Sequence, residues 1–330
     1  MQTLFTGALL ALGLAATPVL AEFPERDIQG IIQWGAGGST DTVARALTPH
    51  AEETLGAKVI LQNVTGGVGA IGLNQAERAD ADGYTLLFGA ENPLLYKIMG
   101  LGQKDYADFV PVNVIARGIP VIVARPDAPF DTFPEMIAYI TENPGEVRSG
   151  STGPGGLTSV VMAMVDQKAP IDVTFVPYDG DGPALTALQG GAIDIMPSVL
   201  GAALEPIRAG NLKAITVFNT EKVEPLPDTP AIVETNPEFA DLLPWGPFFG
   251  IFVKQGTPDD AVAKLTEAYA QATQNPDFLA LMKERGFEMM SLSGDEARAF
   301  LDGWQSRTAW VLWDAGVAKT SPEEFGIARP

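Results

Sequence analysis

The chain is 330 residues long, with 41 acidic against 21 basic side chains for a net charge of −20, a single histidine and no cysteine. The missing thiols exclude disulfides, thiolate catalysis and thiolate metal sites, and a lone His50 excludes a histidine-rich metal centre. The acidity argues against nucleic acid or anionic lipid as a partner and implies that any bound anion is held by local fields against the overall charge.

Residues 1–21 read as a signal peptide. Leu4 to Leu20 is almost wholly apolar, Val19-Leu20-Ala21 offers small residues where signal peptidase needs them, and Pro18 together with the short length argues against a membrane span. No Lys or Arg precedes the apolar run, which leaves only the α-amino charge ahead of it. No later segment approaches a spanning length, so the mature chain is expected to be soluble and exported to the periplasm. About 310 residues remain after cleavage, more than one hydrophobic core usually organises, so two domains are expected.

From Ile28 the pattern alternates. A strand at 28–34 leads through the glycine turn 35–40 to a helix over 41–55 in which Pro49 favours a kink; a strand at 58–64 leads through more glycines to a helix at 70–79; a strand follows at 84–89. A strand is expected at 116–124, and then the pattern restarts with a helix at 133–142, a turn at 150–156 and a helix at 157–167. After a strand at 173–178 come the turn 179–182 and a helix at 183–188, then a strand at 193–197, a helix at 199–208 and a strand at 212–218. Residues 224–247, rich in proline and acid, read as a connection. A strand at 248–253 precedes two or three amphipathic helices, with Ala261, Leu265 and Tyr269 on one face. Such alternation predicts an α/β fold with largely parallel sheets flanked by helices.

Glycine turns that open helices leave bare N–H groups at a partially positive helix end, which suits a small anion. A literal dinucleotide fingerprint, Gly67-Val68-Gly69-Ala70-Ile71-Gly72, also follows a strand, opens a helix and is trailed by Glu91. A complete strand–turn–helix unit already precedes it and an exported protein meets little nicotinamide cofactor, so its glycines are read as packing a helix closely. Dinucleotide-dependent redox chemistry stands only as the alternative. No serine elbow accompanies His50, and no cofactor is expected.

Three strings, Gln33-Trp34-Gly35-Ala36-Gly37-Gly38-Ser39-Thr40-Asp41, Val64-Thr65-Gly66-Gly67-Val68-Gly69-Ala70-Ile71-Gly72 and Ala81-Asp82-Gly83-Tyr84-Thr85-Leu86-Leu87, resemble the solute-binding receptors of tripartite tricarboxylate transporters, the Bug family. Lys104 to Val112, Val176-Pro177-Tyr178-Asp179-Gly180, Leu226 to Pro230 and Gly256-Thr257-Pro258 match the same family in order, so the resemblance spans the mature chain. It implies a two-lobed periplasmic-binding-protein fold of the Venus-flytrap, type II-like kind. The first lobe would be 22–121 plus 246–330 and the second 122–245.

It further implies a monomeric receptor, not an enzyme, that captures a small carboxylate (a di- or tricarboxylate, an aromatic acid or an amino-acid-like anion) and delivers it to integral-membrane transporter subunits. Carried over by position, the ligand-binding residues are Trp34, Ala36, Gly37, Gly38 and Asp41 in the first turn and Gly89 and Ala90 after the third strand. The second lobe would add Ser151, Thr152, Gly153, Thr158, Tyr178, Asp179 and Gly180. A bulky residue at Gly37 is therefore expected to block the ligand. Trp34 has two readings, stacking at the cleft mouth or capping the sheet core. Asp179, at a position commonly basic or polar in relatives, and Asp181 read as helix caps or as a grip for an amine. Arg117 reads as a salt-bridge partner or as a fork onto a carboxylate.

Overall fold

The structure, a computed structural model, describes residues 23–330. The expected signal peptide lies outside the described residues. Two sheets form two lobes. The first carries six strands in the order β11-β4-β10-β3-β1-β2 and the second five in the order β7-β6-β8-β5-β9, counting strands along the chain.

In the first sheet, β1 (Ile28–Ile32) pairs in parallel with β2 (Val59–Asn63) and β3 (Thr85–Ala90). Helix α1 (Ser39–Leu55) runs without a break through Pro49, and α2 (Ala70–Arg78) opens at the glycine-rich turn. A single turn, α3 (Tyr96–Met99), follows β3. Beyond it β4 (Phe109–Arg117) ends the first pass through this lobe and β5 (Pro120–Ala124) begins the second sheet. The expected continuous strand at 116–124 is thus two strands in different sheets.

The second lobe then builds α4 (Phe133–Glu142), β6 (Arg148–Ser151), α5 (Leu157–Lys168), β7 (Thr174–Pro177), α6 (Asp181–Gln189), β8 (Ile195–Val199), α7 (Leu200–Arg208) and β9 (Lys213–Val217). A reciprocal cap starts α4, where Glu135 N donates to Thr132 Oγ1 at 3.3 Å and Thr132 N to Glu135 Oε2 at 3.1 Å. The connection back holds only α8 (Ile232–Thr235) and a 3₁₀ stretch. β10 (Phe248–Lys254) re-enters the first sheet antiparallel to both β3 and β4; α9 (Asp259–Ala272), α10 (Pro276–Glu284), the edge strand β11 (Glu288–Leu292) and α11 (Gly294–Asp314) complete it.

Both sheets are mixed: parallel where strand–helix–strand units build them, antiparallel around β10 and β5, which enter from the opposite lobe, and where the edge strand β11 joins β4. This differs from the mostly parallel sheets expected, because a strand that has just crossed between lobes has no helix of its own to reverse it.

The crossings pack backbone on backbone. Gly118 N donates to Pro247 O at 2.8 Å, and a Cβ on Gly246 would lie 2.1 Å from Gly118 O. Trp304 Nε1 donates to Gly246 O at 2.8 Å and Trp245 Nε1 to Thr308 Oγ1 at 3.0 Å, so α11 braces the return crossing. The expected face Ala261, Leu265 and Tyr269 is fully buried, packed on α1.

Candidate functional site

Four turns that follow strands meet between the lobes around a cavity of about 40 Å³. Trp34 and Gly38–Thr40 come from the turn after β1, Ala90 to Asn92 from the end of β3, Thr152 and Leu157 from the turn into α5, and Gly180 and Asp181 from the turn into α6, with Val199, Pro247 and Phe249 closing it. By this measure a water needs roughly 10–15 Å³, so the space takes a carboxylate or an ammonium group and a larger solute requires the lobes to part.

Protein bonds clamp the seam. Gly35 N donates to Asp179 O at 2.8 Å, Leu157 N to Glu91 Oε1 at 2.9 Å and Ser39 Oγ to Asp181 Oδ2 at 3.3 Å, each from one lobe to the other. Asp181 Oδ2 also accepts from Val199 N at 3.4 Å.

These bonds correct the expectation of bare glycine-turn amides. Gly37 N is turned back onto Asp41 Oδ2 at 3.1 Å, Gly38 N onto Gly35 O at 3.4 Å, and Gly153 N onto Ser151 Oγ at 3.1 Å. What remains for a ligand is helix starts: Ser39 and Thr40 of α1, Leu157 of α5 and Asp181 of α6 line the cavity, and first-turn N–H groups have no acceptor within their own helix. Two side-chain donors join them. Trp34 Nε1 and Asn92 Nδ2 have no partner, and their residues, 6% and 2% exposed, both line the cavity.

Of the residues expected from sequence, Trp34, Gly38, Ala90, Thr152 and Gly180 line this cavity. The Trp34 ring also belongs to the core, as the capping reading expects. Ser151 and Gly153 sit one turn away, on a wider groove of about 690 Å³ that also includes Met99 and Lys319 of the first lobe and Phe175 of the second.

The others are set to different work. Gly37 is exposed and a Cβ there would meet nothing within 4 Å, so a side chain at this position does not reach the cavity. Ala36 is exposed with its carbonyl on the seam against Gly182. Asp41 is spent on holding the first turn, accepting from Arg45 Nε at 2.7 Å and Asn63 Nδ2 at 2.9 Å. Gly89 lies beneath Tyr106 and Gln33 because a Cβ there would fall 2.1 Å from Tyr106 Oη. Thr158 Oγ1 donates to Pro197 O inside the second lobe at 3.3 Å.

Tyr178 packs on the second-lobe core, and Asp179 is exposed, reaching the seam by its carbonyl alone. Asp181 does not cap its own helix but spans to Ser39 and Val199. Arg117 pairs with Glu288 on β11, the salt-bridge reading.

Glu91, Asn92, Ser39 and Thr40 are site residues that the sequence does not announce. Glu91 stands out there only as the acid trailing the dinucleotide fingerprint, yet it crosses the cleft to the start of α5. The fingerprint glycines do packing work: Gly69 O accepts from Gln33 Nε2 at 2.9 Å and a Cβ on Gly72 would lie 2.8 Å from Val64 O.

The electrostatics are unusual. Burial pushes the Glu91 carboxyl up to about 8, with the neighbouring Asp181 adding to the rise and the N–H groups of Glu91 itself and Leu157 opposing it. Burial likewise pushes Asp181 up to about 6 against the Val199 N–H and Ser39 hydroxyl. No lysine, arginine or histidine lines the cavity, and among the described residues no group of three acids, histidines or cysteines is placed to hold a metal. No helix among them is long and apolar enough to cross a membrane.

A sequence model of the tripartite tricarboxylate transporter family receptor matches residues 43–315. A relative from Bordetella pertussis is 30% identical over 316 residues, covering 94% of this chain and 96% of that protein. The protein BugT of the same organism is 29% identical over 317 residues, again covering 94% of this chain and 96% of its own. Among solved structures, the periplasmic binding protein BugD superposes with a TM-score of 0.85 at 27% identity, over 90% of this chain and 100% of its own. MatC from Rhodopseudomonas palustris with bound malate gives 0.81 at 26% identity, over 89% of this chain and 100% of its own.

Proposed function

The chain belongs to the tripartite tricarboxylate transporter family of receptors, and from that premise we propose that it is a periplasmic, monomeric solute receptor that closes two lobes on a small carboxylate and hands it to membrane transporter subunits. Following the two sheets, the first lobe runs from residue 23 to the Arg117–Pro120 crossing and resumes at about 246, the second lying between. The observation that carries the reading is that the strand-end turns of both lobes meet at one interlobe cavity lined by the start of α1 and by Trp34 and Asn92, two residues whose buried side-chain donors have no partner. Donors buried without acceptors cost about 1–3 kcal/mol each, which a ligand carboxylate removes on binding.

A thermal-shift panel of carboxylates tests this directly. Malate, the ligand named for MatC, belongs in it beside longer diacids and amino diacids. A cognate solute at one hundred times its dissociation constant is expected to stabilise the fold by about 2.7 kcal/mol, a rise of roughly 5 °C. A panel without any shift counts against the receptor reading.

Trp34→Phe keeps the ring but removes Nε1. With a charge-assisted bond contributing about 1.5–3 kcal/mol, affinity is expected to fall by roughly tenfold or more while the melting temperature of the free protein stays near wild type. Unchanged affinity in titration calorimetry would remove the indole from the site.

A further inference from the structure

The fingerprint turn between β2 and α2 carries a residue that its own backbone disfavours. Gly66, Gly67, Val68 and Gly69 all have positive φ, and at Val68, with φ of 59°, the left-handed conformation brings a branched side chain against the main-chain carbonyl, a collision that glycine escapes. First-lobe groups hold the turn in this shape. Tyr96 Oη donates to Val68 O at 2.6 Å, Gln33 Nε2 to Gly69 O at 2.9 Å, and Ala70 N to Gly67 O at 3.1 Å. Strain of this kind persists where the surroundings over-determine it, and it gathers at ligand clamps and switch regions.

The Val68 side chain touches the other lobe. A Cβ on Gly153 would fall 2.6 Å from Val68 Cγ2 and 3.1 Å from Cγ1, so the valine fills the place that a side chain at 153 would take. The next glycines of that turn are used alike: a Cβ on Gly155 would meet Leu95 and Met99 at 3.3 Å, and one on Gly156 would lie 2.8 Å from Asn92 Nδ2. Gly153 is also held within its own lobe, its N–H donating to Ser151 Oγ and its carbonyl accepting from Gly156 N. Two preformed pieces therefore meet, a knob and a socket of three glycines. Thr152 and Leu157, on either side of that socket, are walls of the cavity.

We propose that Val68 is the positioning residue of lobe closure, a preset knob on the first lobe whose seating on Gly153 fixes where the second-lobe wall of the cavity comes to rest. This rests on the receptor reading, in which the lobes part and close, and adds to it the residue that sets the stop. The hydrogen bonds that hold the knob all belong to the first lobe, so the strained turn survives opening and presents the same shape at each closure. A β-branched side chain suits the task, since its χ1 has little freedom to swing aside.

Two measurements on the mature protein, neither needing a solute, test this. The chain has no cysteine, so a pair placed at the contact is read without background. A Cβ on Gly153 would stand 3.4 Å from Val68 Cβ, near the roughly 3.8 Å usual across a disulfide. With oxidised glutathione accepting the electrons, Val68→Cys/Gly153→Cys is expected to form its intramolecular disulfide roughly tenfold faster or more than Val68→Cys/Gly191→Cys, whose second position is an exposed site on the same lobe as Gly153. Small-angle scattering supplies the other arm. Gly153→Ala drives a methyl into Val68 and is expected to enlarge the radius of gyration of the free protein. Val68→Gly/Gly153→Ala is expected to return it to the wild-type value, because the double variant keeps the backbone strain at 153 and removes only the collision. Equal cross-linking rates in the two cysteine pairs, a Gly153→Ala protein no larger than wild type, or a double variant as large as Gly153→Ala overturns the knob and leaves the receptor reading standing. A flat thermal-shift panel beside the expected results counts against the receptor reading alone.

Discussion

Valine in place of Gly182 is expected to lower ligand affinity about a hundredfold without unfolding either lobe. The residue stands at the second position of α6, on the seam, where a Cβ would lie 2.5 Å from Ala36 O, 3.0 Å from Gly37 C and 3.0 Å from Gly38 N. These are backbone atoms of the opposite lobe, so no side chain can swing aside to make room. The lobes must stay apart, and apparent affinity falls with the fraction of molecules able to close, so a closure made about 2.7 kcal/mol harder weakens binding by two orders of magnitude. The apolar packing of each lobe lies away from residue 182, so the melting temperature of the free protein should move little. Titration calorimetry with a solute from the panel measures the loss, and small-angle scattering should report a larger radius of gyration. Wild-type affinity in this variant would mean that binding does not close this seam.

Glu91→Gln is expected to abolish most of the pH dependence of the clamped state. The Glu91 carboxyl rises from an ordinary 4.5 to about 8 in the folded chain, so the folded protein binds the proton more tightly than the unfolded one between those values. The contribution of Glu91 to stability is then greatest below pH 4.5 and declines as pH climbs through 8, the opposite of the usual salt-bridged carboxylate. At about 1.36 kcal/mol per unit the full penalty is on the order of 4–5 kcal/mol, and parting the lobes to wet the carboxylate relieves it before the chain unfolds. Asp181 contributes in the same direction but only up to about pH 6. Melting temperature measured from pH 6.5 to 8.5 isolates Glu91: wild type should lose stability across that window and Glu91→Gln should be nearly flat, its amide oxygen still accepting from Leu157 N. Equal slopes would show that Glu91 remains ionised throughout.

Much of the fold is legible because its strong elements advertise themselves. The helix at 133–142 falls where expected, its start fixed by Thr132 and Glu135, and the 28–34 and 84–89 strands are marked by runs of isoleucine, leucine and phenylalanine. The strands that escape carry poor local patterns. β4 holds Pro111 and a buried Asn113, β6 reads Arg-Ser-Gly-Ser, and β11 is a half-buried edge; each is a strand because neighbours pair with it. The break at Gly118 is invisible in an apolar stretch, since it exists only because Gly246 from the far end of the chain must pass against it.

The site is legible as turns and illegible as atoms. Sequence places the four strand ends that converge, but it does not reveal which amides the protein consumes itself. Asp41 takes Gly37 N and Glu91 takes Leu157 N, so neither amide is open to a ligand. Glu91 escapes because its partner lies 66 residues away on the other lobe.

Because the Gly35–Asp179 and Leu157–Glu91 links are made wholly of protein groups, the shut outline does not depend on cargo. A permease that recognised its receptor by outline alone would dock idle and laden copies alike, and idle copies would block its landing face. If the chain delivers to a permease as proposed, that permease must prise the clasp apart, so that unlatching the clasp and letting go of the cargo become one event.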